Sequence, residues 1–308
     1  MLSLILLSYY SGERITIAYE KISELLKKEN IEFEFVVIDD GSNDHSFEIA
    51  QQLEKKFSNV KAFQLSRNYT SNYAIFAGLS ICKGDCAMPI PDDEQQPYSS
   101  IVGMYRLWEK GAKVIIPNRI KRNDGFLNDL FSNTYYTIIN SFSDVQFPPG
   151  GADLFFIDRE VVDIINNRIH HRNTTSIIEV LRLGFSPVYY PYERVKGINQ
   201  KSRWTFRKKF KMFKDTFFSS STWPIRIITN LGLIFSLFAI GIIIFYTYIK
   251  LFGNPEFWGA TMPGWTSTIV IVSFFSGLIL FSLGVIAEYI WRIYEEVKDR
   301  PGFIIKKK

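Results

Sequence analysis

The chain has 308 residues, enough for one large domain or two ordinary ones, and 47% of them are hydrophobic, an ample supply for a core. Mean hydropathy is +0.02 although 22% of the residues are charged, so the apolar residues must be unevenly distributed. A formal charge of +5 leaves polyanions and membranes open as partners, whereas two cysteines, Cys82 and Cys86, argue against a disulfide scaffold or a structural zinc site and for reduced thiols.

In chain order, Leu2 to Leu7 reads as a strand rather than a signal peptide, because no basic region precedes it and it is too short. Ile15 to Glu29 has helical periodicity. Glu34 to Ile38 is a second strand ending in Asp39-Asp40-Gly41-Ser42, after which Asp44 caps a helix running to about Phe57. Val60 to Leu65, the helix-like Asn72 to Ile81 and a strand at Cys86 to Ile90 continue the alternation, and Val114 to Ile116 is again strand-like. Such alternation predicts an α/β fold with a mostly parallel sheet, whose ligands collect at the C-terminal strand ends. Pro148 to Gly151 marks a loop, and His170-His171 reads as a surface pair without the spacing of a metal site.

Ile227 to Ile249 and Trp265 to Ala287 are each 23 residues without a charge, long enough to cross a bilayer. Residues 1–200 hold 21 basic and 25 acidic side chains, whereas residues 201–226 hold eight basic ones against Asp215 alone. Positive charge packed against the first span places the N-terminal domain and both termini in the cytoplasm, with the spans forming a hairpin. Trp204 to Ser221 reads as a basic amphipathic interface segment. The organisation predicted is residues 1–200 as the soluble domain, 201–224 as interface, 225–250 and 265–290 as transmembrane helices and 291–308 as a cytoplasmic tail.

Two strands end in carboxylates: Asp39-Asp40 and Asp92-Asp93-Glu94, the second followed by Gln95-Gln96-Pro97. Either cluster alone reads as a solvated turn, but two in one alternating domain favour a nucleotide site with a hard cation on a diphosphate. The ordered set Asp39-Asp40-Gly41-Ser42, Leu65-Ser66-Arg67-Asn68, Gly78-Leu79, Gly84-Asp85, PDDEQQP, Gly151 to Arg159, Lys201-Ser202-Arg203-Trp204 with Lys208-Lys209, Glu288-Tyr289 and Arg300-Pro301 resembles family 2 glycosyltransferases acting on polyprenyl phosphates. That resemblance covers nearly the whole chain. It implies a GT-A nucleotide-sugar domain joined to two or more transmembrane helices, in the inner plasma membrane.

The implied reaction is inverting transfer of a sugar from a nucleotide-sugar, UDP-glucose first, to a polyprenyl phosphate such as undecaprenyl phosphate. Nucleotide contacts fall on Tyr9, Asp39, Asp40 and Asp92, with Arg119 and Arg122 as phosphate ligands. Asp93 and Gln95 match the family's D-x-D-x-Q segment and would hold Mg2+ or Mn2+; Pro91 stands where the first Asp belongs, and Leu7 where the family has proline. Asp153, with Asp93, matches a catalytic position. Arg194, Lys201, Ser202 and Arg203 would hold the lipid phosphate, and Lys208, Lys209 and Lys211 would attract the leaflet. A processive polysaccharide synthase would need more spans, and a non-catalytic scaffold has no need of Asp93, Gln95 and Asp153. Nucleic acid is a poor partner for a basic stretch abutting a span. A homo-oligomer is compatible with this organisation.

Overall fold

The computed structural model describes residues 1–119, 140, 147–148, 152–172, 174–193, 223–252, 264–298 and 300–306. They divide into two units, Met1–Ser220 with Arg300–Lys308, and Ser221–Asp299. Of the predicted site residues, Arg122, Arg194, Lys201, Ser202 and Arg203 lie outside the described residues, as do residues 201–222 of the interface segment.

In the first unit the apolar runs form strands β1 Leu2–Ser8, β2 Phe33–Asp39, β3 Val60–Gln64, β4 Cys86–Pro91, β5 Val114–Arg119, β6 Phe156–Asp158 and β7 Val188–Tyr192. The helices are α1 Arg14–Lys28, α2 Ser46–Lys56, α3 Ser71–Ile81, α4 Ser99–Glu109, α5 Arg159–Arg168 and α6 Ser176–Arg182. The N-cap of α2 is His45 rather than the expected Asp44, whose carboxylate instead accepts from the Ser46 amide at 3.1 Å one residue before the cap. The strands make one sheet in the order β3-β2-β1-β4-β6-β5-β7. Only β6 runs antiparallel to its neighbours, which makes this a GT-A-like, mostly parallel α/β sheet.

Strand alternation sends side chains into two cores. Leu2, Leu4 and Leu6 of β1 join Ile15, Ile22 and Leu26 of α1, Leu53 of α2 and Met104 of α4. Ile5 of the same strand joins Phe76 of α3, Val162 of α5 and Ile178 of α6. Gly78 lets α3 approach β1 closely, since a β-carbon there would overlap the Ile5 side chain. Burial of this kind is worth about 25 cal/mol per Å2 of apolar surface, the main force fixing helices to both faces. Cys82 and Cys86 are free thiols in these cores, and burial pushes both up in pKa.

His171 departs from the expected surface pair. His170 is exposed, but His171 is half-buried, stacked between Phe76 at 4.4 Å and Phe303 at 5.9 Å. An imidazole is flat enough to be clamped between two rings, a role that its spacing in sequence does not reveal.

Register places the functional edge. Ser8 lies opposite Asp39, Asp39 opposite Gln64, and Leu7 opposite Pro91, so the loops after β1 to β4 emerge side by side. The chain runs outward from β1 to β3 and then crosses back to β4 on the other side of β1. Between β1 and β4 lies the switch point at which open α/β sheets leave a crevice.

The second unit holds α7 Trp223–Phe252 and α8 Gly264–Val297. Phe235 of α7 meets Phe274 and Phe275 of α8 with ring centroids 5.8 and 5.3 Å apart. The stretch Phe274–Val297 is long and apolar enough to cross a membrane. The other expected span, Ile227 to Ile249, lies within α7, many of whose side chains lie outside the described set.

Candidate active site

Backbone strain gathers at the C-terminal edge of the sheet. Tyr10 after β1, Thr70 after β3 and Glu94 after β4 have φ of 50°, 84° and 53°, and Gly41 after β2 has 70°. Non-glycine residues in this region cost free energy, of order 1–3 kcal/mol each, and such conformations collect at functional loops. At Gly41 the backbone is also crowded: a β-carbon would sit 2.5 Å from the Arg67 carbonyl carbon. The Asp-Gly turn therefore packs directly on the loop after β3.

Asp39 and Asp40 are both buried, and they organise that packing. Asp39 accepts from the Ser42 amide at 2.9 Å, the Ser42 hydroxyl at 2.5 Å and the Gln64 side-chain amide at 2.9 Å. Ser42 Oγ in turn accepts from the Tyr10 amide at 2.9 Å. Asp40 accepts from the Tyr69 and Thr70 amides at 2.7 and 2.9 Å, holding the strained Thr70 in place. Two carboxylates thus tie together the loops after β1, β2 and β3. Tyr9 packs edge-on against Tyr10, with burial raising its phenol pKa.

The segment after β4 is tied instead to α1 and the loop before it. Asp92 Oδ2 receives Arg14 Nη2 at 2.5 Å, Arg14 Nε at 3.0 Å and Ser11 Oγ at 2.5 Å. Lys21 of α1 reaches Glu94 at 2.7 Å. Asp93 accepts from the Gln95 amide at 3.2 Å. Tyr98 follows this segment with its hydroxyl buried and without a hydrogen-bond partner among the described residues, and burial, aided by Glu94, Asp92 and Asp93, pushes its pKa up so that it stays neutral. Among the described residues no three His, Cys, Asp or Glu side chains converge as a metal cage. Asp92 is paired with Arg14, so a divalent cation here would draw on Asp93, with substrate phosphates and water completing the shell as Mg2+ allows.

Residues 3–164 match the model of the glycosyl transferase family 2 domain. The chain belongs to that family. It is therefore a glycosyltransferase. Along its length it is similar to the SfII prophage-derived bactoprenol glucosyl transferase of Shigella flexneri, at 31% identity over 99% of this chain and 97% of the other. It is also 30% identical to the putative glycosyltransferase CsbB of Bacillus subtilis, over 100% of this chain and 92% of the relative. A third relative, the uncharacterized glycosyltransferase YkcC of Bacillus subtilis, is 30% identical over 94% of this chain and 88% of its own length.

On this family 2 scaffold two residues expected in different roles meet. Arg119, at the end of β5, donates to Asp153 at 2.6 Å and to the Tyr192 hydroxyl of β7 at 3.0 Å. Asp153 is half-exposed, so the pair is open to a ligand. Sequence reasoning missed Arg14, Ser11, Gln64 and Tyr98. Arg14 carried a signal: a cation in the first turn of a helix opposes the dipole and calls for a compensating partner. Gln64 and Tyr98 carried none, because an amide at a strand end and a tyrosine before a helix are ordinary.

Proposed function

We propose that this glycosyltransferase moves a hexosyl group, glucose first, from a UDP-sugar to a polyprenyl phosphate at the cytoplasmic face of a membrane, with inversion. The observation that carries this is the 31% identity to a bactoprenol glucosyl transferase over 99% of the chain, which takes in the helical unit as well as the sheet. The outward apolar side chains of that unit support it. Phe238, Leu280 and Phe281 are each more than 60% exposed, an arrangement suited to lipid. We assign α7 and α8 as two transmembrane helices, with the catalytic domain and both termini in the cytoplasm.

The donor's nucleoside would lie over the loops built by Asp39 and Asp40, beside Tyr9, and its diphosphate near Asp92 and Arg14. Asp93 and Gln95 would hold a divalent cation, Mg2+ or Mn2+, which neutralises charge on the departing diphosphate. A phosphate monoester has a second pKa near 6 and is largely dianionic at neutral pH, so the acceptor needs placement more than deprotonation. One acceptor oxygen forms the bond to the anomeric carbon. The bond from that carbon to the diphosphate breaks, and its electron pair leaves with the nucleotide. Attack opposite the leaving group inverts the centre. Asp153, oriented by Arg119, would stabilise charge developing on the sugar, and Arg119 and Arg122 would bind the donor phosphates. Arg194, Lys201, Ser202 and Arg203 would hold the lipid phosphate.

The test is direct. The full chain in detergent, given a panel of radiolabelled nucleotide-sugars with undecaprenyl phosphate, should move label from UDP-glucose into the butanol phase. Absence of lipid-linked label from every donor, in a preparation that binds UDP, would rule out the acceptor.

A further inference from the structure

The C-terminal segment is not a loose tail. Three residues past the end of α8 the chain enters Arg300–Lys306, which belongs to the sheet unit. Ile305 forms an antiparallel bridge with Leu65, the Ser66 amide donates to the Ile304 carbonyl at 2.8 Å, and the Lys306 amide donates to the Gln64 carbonyl at 2.8 Å. Phe303 and Ile305 pack on the core, Phe303 against the clamped His171. The segment thus pairs with the chain where β3 ends, at Gln64 to Ser66 on the outer edge of the sheet.

From this position a line of contacts runs into the donor loops. Lys306 Nζ donates to Gln64 Oε1 at 3.0 Å, and Gln64 Nε2 donates to Asp39 at 2.9 Å. Asp39 holds the Ser42 turn, and Ser42 Oγ receives the Tyr10 amide. An ammonium only donates and a carboxylate only accepts, so both neighbours select the same orientation of the Gln64 amide. We infer that Arg300–Lys306 is a strap that positions the donor pocket, with Lys306 and Gln64 as positioning residues acting through Asp39 on the turn at Ser42 and the loop at Tyr10. This rests on the proposed assignment of the donor site to those loops.

The experiment uses the full chain in detergent and measures UDP and GDP affinity by isothermal titration, with donor and acceptor KM from steady-state rates. One hydrogen bond of ordinary strength corresponds to about three- to tenfold in affinity, so Lys306→Met should weaken nucleotide binding by about that factor. Lys306→Arg should restore it, and the acceptor KM should not move. In a Gln64→Leu background Lys306→Met should have no further effect, which a merely edge-covering role does not predict. Ending the chain after Asp299 should weaken binding at least as much; if that variant does not fold, the point substitutions decide. Unchanged affinity in Lys306→Met, or additive losses in the double variant, overturns the strap. Failure of the unmodified chain to bind either nucleotide instead removes the donor-site assignment, and the strap with it.

Discussion

Arg14 shows how a single side chain can change what a motif means. Asp92 is a carboxylate in an acidic run, and by itself it would suit a cation. Its partner 78 residues earlier in the chain supplies the positive charge instead, through two guanidinium contacts in a partly buried setting. A hydrogen bond to a charged group is worth about 1.5–3 kcal/mol when its loss strands the partner. Arg14→Met should therefore lower the melting temperature and raise the donor KM several-fold, because Asp92 then faces Asp93 and the diphosphate without compensation. A variant with unchanged donor KM would mean that the pair only joins α1 to the segment after β4. Asp93→Ala should act differently, removing turnover while leaving the melting temperature within a degree or two; activity that persists in excess EDTA would sink the cation assignment itself. His171 gives a separate prediction at this scale. Burial lowers its pKa below the ordinary value of about 6.5, and His170 lowers it further, against the opposing Ile165 carbonyl. The unfolded chain then binds more protons than the folded one as pH falls below about 6.5, so this stability is present at neutral pH and is lost through the folded pKa. His171→Phe, which keeps the ring stack, should lose less stability than the parent between pH 7.5 and 5.5 in thermal melts. Equal losses would show that the imidazole is not the group responsible.

At the level of elements, β1 to β4 and α1 to α3 were legible because each apolar run or helical period is long and each ends in a turn with its own chemistry. Gly41 belongs to one of those turns, and it was legible as a turn residue although the Arg67 backbone against it was not. Gly41→Ala should disturb the loops after β2 and β3 together, costing about 1–2 kcal/mol for the left-handed backbone alone and more for the crowding. Nucleotide affinity should fall with it; a variant that binds UDP as tightly as the parent would show that the donor does not depend on this turn. β6 and β7 were not legible. Phe156–Asp158 has three residues and runs antiparallel, stabilised by its neighbours rather than by its own pattern. Val188–Tyr192 combines a proline with exposed Val188 and Tyr189 at the sheet edge, where β-propensity says little. The strap is harder still, since a short apolar run before a lysine cluster specifies no partner until β3 is found to be an edge.

For the whole molecule, charge distribution was more informative than total charge. The excess at residues 201–226 implied an orientation, and the two long helices now occupy the positions of the two uncharged runs. A long helix with apolar side chains exposed along it must be covered, by lipid or by another copy, because patches of that size in water drive aggregation. Lipid makes the stricter prediction. With residues 1–200 net −4 and the next 26 strongly basic, the positive-inside rule would put the soluble unit in the cytoplasm, and two crossings would return the tail to the same side. The strap demands that same arrangement, because Arg300–Lys306 can pair with β3 only if both lie in one compartment. Cysteine substitutions at single positions in Gly253 to Gly264 should therefore react with a membrane-impermeant maleimide added to intact cells. A cysteine replacing Lys308 should react only after the cells are opened. Labelling of both from outside would refute the two-crossing topology, and labelling of neither in intact cells would mean that the helical unit lies on the membrane or packs against another chain instead of crossing.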